Sequence, residues 1–341
     1  MSLRKFLIFL DNPQAVFFAG QNVSGRVFVN NIEPVKLQGI NIKLTGEAKV
    51  SWMDGQGSSH SKSEPYFNHQ TVLLGGAGRG SEICLAPGEH FYPFNFDLPA
   101  NIPSSFEGEH GHIRYCVSAS MDRQDRAWKL DLETSAPFAV IALLDLNSDP
   151  QFAAPVSATE TKKFSFSSGV VNVVLSLPAG GVVPGEILRP TLDVKNNSKA
   201  HLDRVRLKLR QVVTYIVSVA RVNICYATVA MSFFDSVKPG QSLTFEQDMF
   251  KVPPLPPSNK YLEKCNVIEV GYVLKASFSP RSSLHSDFHV GFPVVVGTIP
   301  LRANLPQLQA PPTYETCLLG TASKVKKTDK LSVPKYPVYH N

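Results

Sequence analysis

The pattern of residues 18–44 recurs in residues 183–209 at a constant offset of 165 positions. Gly20 matches Gly185, Val23 matches Leu188, Val27 matches Leu192, Val29 matches Val194 and Asn31 matches Asn196. Leu37 then matches Leu202, and Ile40-Ile42-Leu44 matches Val205-Leu207-Leu209 without a gap. Two alternating runs and the connection between them therefore keep one register, which alternation alone would not produce. The later part of each copy rhymes as well: Pro87-Gly88 with Pro239-Gly240, Ile102-Pro103 with Leu255-Pro256, and Tyr115-Cys116-Val117-Ser118-Ala119-Ser120 with Tyr272-Val273-Leu274-Lys275-Ala276-Ser277. Solenoid repeats have periods of roughly 20–50 residues, so a duplicated unit this long is a whole domain. The chain reads as two related domains in tandem, with a tail.

Each copy is built on a period of two. Ile40, Ile42 and Leu44 point away from Asn41 and Lys43, and Val205, Leu207 and Leu209 away from Arg204, Arg206, Lys208 and Arg210, as in strands with one buried face. Asp54-Gly55, Gly75-Gly76, Pro87-Gly88, Pro184-Gly185 and Pro239-Gly240 punctuate these runs as turns. The 26 prolines oppose long helices. The expected class is all-β: two tandem antiparallel, immunoglobulin-like β-sandwiches at 3–146 and 163–300, a linker at 147–162, and a disordered tail at 301–341. The tail has five prolines beyond residue 303, several lysines and few large apolar side chains.

Charge narrows the function classes. Of the net charge of +6, the tail supplies six basic side chains against two acidic ones, so the two domains together are close to neutral. Nucleic-acid binding, which needs a concentrated basic face, is not expected. Five scattered cysteines (Cys84, Cys116, Cys225, Cys265, Cys317) without CxxC spacing argue against a disulfide framework or zinc site and suit a reducing compartment. No stretch approaches 18 apolar residues. The expected location is the cytoplasm.

Several stretches resemble the arrestin family, and within it the α-arrestin branch of arrestin domain-containing proteins. Ser105-Phe106-Glu107-Gly108-Glu109-His110-Gly111-His112-Ile113-Arg114-Tyr115 is similar to that branch's S-F-E-G-x-x-G-x-[IV]-R-Y segment. Phe292-Pro293-Val294-Val295-Val296-Gly297-Thr298-Ile299-Pro300 is similar to the L-P-L-V-I-G-T-I-P that closes its second domain. The opening Phe18-Ala19-Gly20-Gln21-Asn22-Val23-Ser24-Gly25-Arg26-Val27 and the tail's Ala310-Pro311-Pro312-Thr313-Tyr314 also fit. The resemblance spans essentially the whole chain. It implies arrestin-type sandwiches and an adaptor rather than an enzyme. Many members carry two P-P-x-Y motifs; this chain has one, plus Tyr336-Pro337-Val338-Tyr339, which lacks the second proline.

Pro311, Pro312 and Tyr314 are the candidate partner-binding residues. Two prolines preset polyproline II, so little chain entropy is lost on docking into the aromatic groove of a WW domain, and the tyrosine fills a neighbouring pocket. Arg204, Arg206, Lys208 and Arg210 put four cations on one face of one strand, a solvated surface or a candidate seat for acidic cargo tails or anionic lipid headgroups. Cys265 occupies a position resembling the cysteine through which thioredoxin-interacting protein pairs with thioredoxin, and is the candidate redox contact. Pro253-Pro254-Leu255-Pro256-Pro257 reads as an ordered loop between strands, and Leu143-Leu144-Asp145-Leu146-Asn147 as a strand end rather than a clathrin box. His110 and His112 with Glu107 and Glu109 lack further ligands in range for a metal site. The tail lysines Lys324, Lys326, Lys327 and Lys330 are candidate ubiquitin acceptors.

No catalytic frame is present: there is no Gly-x-Ser-x-Gly, no His-Glu-x-x-His and no phosphate loop. No cofactor, metal, small-molecule substrate or nucleic acid is expected. The resemblance implies an intracellular adaptor between cytoplasmic regions of membrane receptors or transporters and WW-domain HECT-type ubiquitin ligases. Such an adaptor is recruited to plasma membrane and endosomes. The alternatives are a thioredoxin-binding regulator acting through Cys265 and a ligase-independent endosomal sorting scaffold.

Overall fold

The computed structural model describes residues 3–75, 83–122, 132–164, 168–246, 250–262, 265–282, 284–307, 311–317 and 333–340. It divides into two units. The first begins with β1 (Leu3–Leu10), β2 (Val16–Phe18), β3 (Asn22–Asn31), β4 (Val35–Leu37), β5 (Gly39–Met53) and β6 (Ser59–Gly75). It continues with β7 (Ile83–Leu85), β8 (Gly88–Asp97), β9 (Phe106–Glu107), β10 (Gly111–Asp122) and β11 (Leu132–Ile141). Its two larger sheets run β1-β3-β8 and β2-β11-β10-β5-β6, and β4 pairs with β7. The β5–β6 hairpin turns on Asp54, whose carboxylate accepts from the Gln56 and Ser58 backbone N–H groups, the local bond that favours Asp in turns. Alternate residues fill the core: Val23, Val27 and Val29 from one sheet, Ile40, Ile42, Leu44, Ile113, Tyr115, Val117, Ala119 and Met121 from the other, all at most 1% exposed.

The second unit holds β12 (Val156–Lys162), β13 (Val171–Leu177), β14 (Gly181–Val182), β15 (Ile187–Leu188), β16 (Thr191–Asn196), β17 (Leu202–Ser218) and β18 (Arg221–Phe234). Then come β19 (Ser242–Glu246), β20 (Phe250–Lys251), β21 (Ile268–Pro280), β22 (Phe288–Val296), β23 (Thr313–Thr316) and β24 (Lys335–Val338). Its sheets run β12-β13-β16-β19 and β14-β22-β21-β17-β18. Val205, Leu207 and Leu209 are fully buried, as the alternation requires.

The duplication is visible down to single hydrogen bonds. β2 pairs in parallel with β11, and β14 with β22, each short strand closing its sheet in the same way. Gly20 and Gly185 both have positive φ, +84° and +96°, at the equivalent turn, a conformation that glycine adopts without steric penalty. Asn31 Nδ2 donates to the carbonyls of Glu33, Leu85 and Ala86; Asn196 Nδ2 donates to those of Ala200, Val237 and Lys238. The Tyr115 hydroxyl donates to the Pro103 carbonyl at 2.7 Å, and the Tyr272 hydroxyl to the Pro256 carbonyl at 2.7 Å. Ser105 Oγ accepts from Val140 N–H as Ser258 Oγ accepts from Val296 N–H. These side chains satisfy buried backbone groups where the chain crosses between sheets, which explains why polar residues recur at those points. The 253–257 loop is the ordered connector expected, with Leu255, Pro256 and Pro257 buried.

Two segments carry structure that the alternation did not display. The segment expected as a linker belongs to the second unit, which begins at Leu143. β12 is the first strand of its sheet, and the one-turn helix Pro150–Ala153 drives Phe152 into a cluster with Leu144, Leu146, Val183, Val295 and Leu301. Short alternation in Val156–Lys162, with small or charged residues on both sides, hid a strand whose partner β13 supplies the apolar face. The described part of the tail is the second. Residues expected to be disordered form a 3-10 turn at Arg302–Gln307 and an antiparallel pair, β23 with β24. The pair persists because Tyr336 and Val338 are 1% and 3% exposed, so a few large side chains bury enough surface to offset ordering.

Candidate functional site: the tail motif and a cationic sheet face

The motif Pro311–Tyr314 enters β23. Pro311 is exposed, Pro312 and Tyr314 are half-buried, and burial pushes the Tyr314 hydroxyl pKa up. Tyr314 lies opposite Pro337, with Thr313 opposite Val338 and Glu315 opposite Tyr336. The Thr313 hydroxyl and His340 Nε2 are 2.8 Å apart, and His340 is 3.6 Å from the Glu315 carboxylate. β24 is the anchored partner. The Tyr339 N–H donates to the Pro184 carbonyl at 2.9 Å and its hydroxyl to the Thr298 carbonyl at 2.8 Å. Its ring packs on the Leu144, Leu146, Phe152, Val183, Val295 and Leu301 cluster. These anchors were missed in the sequence. The signal was there in Tyr336-Pro337-Val338-Tyr339, whose large side chains are rare in an otherwise polar tail. Lys324, Lys326, Lys327 and Lys330 lie outside the described residues.

The four cations of β17 share one outward face, as alternation predicted. Arg204 is exposed; Arg206, Lys208 and Arg210 are half-buried. Arg206 donates to Ser279 Oγ at 3.0 Å and sits 3.9 Å from the Asp287 carboxylate. Arg210 lies over the Tyr226 ring at 4.6 Å, a cation–π contact. Lys208 stands directly opposite Lys275 of β21. The Lys275 pKa is lowered, first by burial and then by Arg210 and Lys208. Like charges thus crowd at the middle of the face rather than being neutralised strand by strand. β18, the last strand of the sheet, continues the same face with exposed Val222, Ile224, Tyr226, Met231 and Phe233. Lys275 and this apolar row extend the four-residue stripe; the cross-strand pairing that places them could not be read from β17 alone.

Cys265 lies with residues 265–267 in the first unit, half-buried. Its thiol is beside the Tyr66 hydroxyl, whose pKa is raised chiefly by burial and secondarily by Cys265. Among the described residues no helix is long and apolar enough to cross a membrane.

Comparison with known proteins agrees with this architecture. Residues 6–147 match the N-terminal domain of arrestin (or S-antigen), and residues 167–301 match its C-terminal domain. Arrestin domain-containing protein 17 of Caenorhabditis elegans is 32% identical, over 98% of this chain and 79% of its own length. Mouse arrestin domain-containing protein 4 is 29% identical, over 86% of this chain and 71% of its own length. Rat arrestin domain-containing protein 1 is 32% identical, over 84% of this chain and 64% of its own length. Two β-sandwiches, each holding its own copy of one set of buried hydrogen bonds and each matched by an arrestin domain, place the chain in the arrestin family, in its α-arrestin branch, whose members are adaptors rather than enzymes.

Proposed function

We propose that this α-arrestin links cytoplasmic regions of membrane receptors or transporters to WW-domain HECT-type ubiquitin ligases. Cargo is then ubiquitinated and internalised, with the adaptor moving from cytoplasm to plasma membrane and endosomes. The observation that carries this reading is Pro311-Pro312-Thr313-Tyr314, placed after two arrestin sandwiches. Its prolines form the ridge that aromatic WW grooves read, and its tyrosine is the side chain that decides affinity. Holding ligase and cargo on one scaffold raises the ligase's effective concentration at cargo lysines without any chemistry by the scaffold. The cationic face of β17 and β21, flanked by the apolar row of β18, is the surface we assign to acidic cargo segments or anionic headgroups.

The test is recovery of HECT ligases by the full chain and by Tyr314→Ala, beside calorimetry of a 305–320 peptide with single WW domains. Tyr314→Ala is expected to abolish recovery while leaving both sandwiches folded, because Tyr314 lies in neither of their sheets. Wild-type recovery by the variant would refute the ligase arm.

A further inference from the structure

We propose that residues 335–339 are an intramolecular ligand of the second unit that holds the P-P-x-Y tyrosine in a β-pair, so a WW domain and β24 compete for the same segment. This rests on the reading of residues 311–314 as a WW ligand. A WW groove takes its ligand as polyproline II, with the tyrosine side chain and the backbone of its neighbours given over to the groove. In the folded chain those neighbours are already engaged. Thr313–Thr316 pairs residue for residue with Lys335–Val338, and Tyr314 is half-buried within that pair. One backbone cannot serve both partners at once.

The hold on the motif is indirect. β23 is four residues long, too short to persist on its own pairing. β24 is fixed from both sides: Tyr336 and Val338 are buried, and Tyr339 is tied by its N–H to Pro184, by its hydroxyl to Thr298 and by its ring to the apolar cluster. The Pro184–Gly185 turn is shaped to accept it. A Cβ at Gly185 would run into the Tyr339 carbonyl oxygen, so only glycine lets the tail strand approach this closely. The weak strand carries the motif and the strong strand carries the anchor. β23 can therefore peel away while β24 remains seated, or leave with it when the anchor is cut.

The consequence is a reduced apparent affinity. When only a fraction of molecules present the motif, the observed Kd rises by the inverse of that fraction, so a pair closed about 90–99% of the time weakens WW binding about 10–100-fold. The anchor is also a control point: whatever displaces Tyr339 from the second unit raises ligase recruitment without touching the motif.

The experiment titrates one WW domain into the full-length protein, its Tyr339→Ala and Val338→Asp variants, and the 305–320 peptide, with amide exchange followed at residues 313–316. The peptide is expected to bind at least tenfold more tightly than the wild-type chain. Both variants should approach the peptide's affinity, and their 313–316 amides should lose protection. Equal affinity of peptide and wild-type chain would overturn the proposal, as would variants that bind the WW domain no more tightly than the wild-type chain. A peptide that binds no WW domain would instead refute the ligand reading itself, and the competition with it.

Discussion

Replacing the buried tyrosines of the two units with phenylalanine separates their roles by a calculable amount. Tyr115 and Tyr272 occupy matching places, and each hydroxyl donates to a proline carbonyl at 2.7 Å. Tyr→Phe keeps the ring and its packing, so no cavity forms; what changes is hydrogen bonding. In Tyr115→Phe one buried acceptor, the Pro103 carbonyl, loses its donor. An orphaned buried polar group costs about 1–3 kcal/mol, so about 1–2 kcal/mol is expected here. In Tyr272→Phe two groups are orphaned, because the same hydroxyl also accepts from Gln211 Nε2 at 3.2 Å, and Gln211 is 3% exposed. The expected loss is then about 2–4 kcal/mol. At roughly 2–4 °C per kcal/mol for domains of this size, scanning calorimetry should resolve the two. The hydroxyls sit in different units, so the double variant should show the sum of the single effects. Equal losses, or a Tyr272→Phe effect under about 0.5 kcal/mol, would refute the hydrogen-bond accounting.

His112 is pushed down to about 4, first by burial and then by the charges of Arg114 and Lys49. Its neutral form is the folded form, so its contribution is present above pH 6.5 and is lost as pH falls towards 4. His112→Gln should therefore flatten the acid limb of a stability–pH profile across that window; an unchanged limb would contradict the assignment. Replacing Arg206, Lys208 and Arg210 together by alanine should weaken sedimentation with phosphatidylserine vesicles about 10²-fold at low salt, from about 1 kcal/mol per cation. Unchanged vesicle binding would leave the face as solvated surface. Cys265, half-buried beside Tyr66, should form no mixed disulfide with a thioredoxin lacking its resolving cysteine, and a Cys265-dependent adduct would restore the redox alternative.

Much of the fold was legible because the two signals that specify it are local and repeated. Period-two burial in Ile40-Ile42-Leu44 and Val205-Leu207-Leu209 marks one face of a strand regardless of its partners. The 165-residue offset shows that the same pairing is made twice. Asn31 and Asn196 were matched by position alone; their function, gathering three carbonyls each, depends on the return of the chain at Leu85–Ala86 and Val237–Lys238. Those contacts bridge about 40–55 positions, so no window along the sequence could display them. The cationic face was half legible for the same reason: β17 could be read, but Lys275 and the β18 row join it only through sheet pairing. Composition could not display the strands among the described tail residues, because it averages over residues. Lysines and prolines are frequent in residues 303–341, yet the pairing of residues 313–316 with 335–338 is held by Tyr336, Val338 and Tyr339 and by a receiving turn about 150 residues earlier.

That turn also shows how a duplicated domain acquires a new contact without losing its fold. Gly20 and Gly185 hold the same left-handed conformation, and in each turn the glycine N–H donates, to the Pro99 carbonyl in one copy and the Val252 carbonyl in the other. Their outer surfaces differ. A side chain at Gly20 would meet only Ala100, at 3.5 Å, an ordinary van der Waals contact. At Gly185 it would strike the backbone of Tyr339. The first copy thus uses its glycine for backbone conformation alone, whereas the second uses the same residue twice, for the turn and for the bare surface on which the tail is seated. A residue required by the fold in both copies was available in one of them as a docking point, and the segment that took it lies next to the only P-P-x-Y motif in the chain.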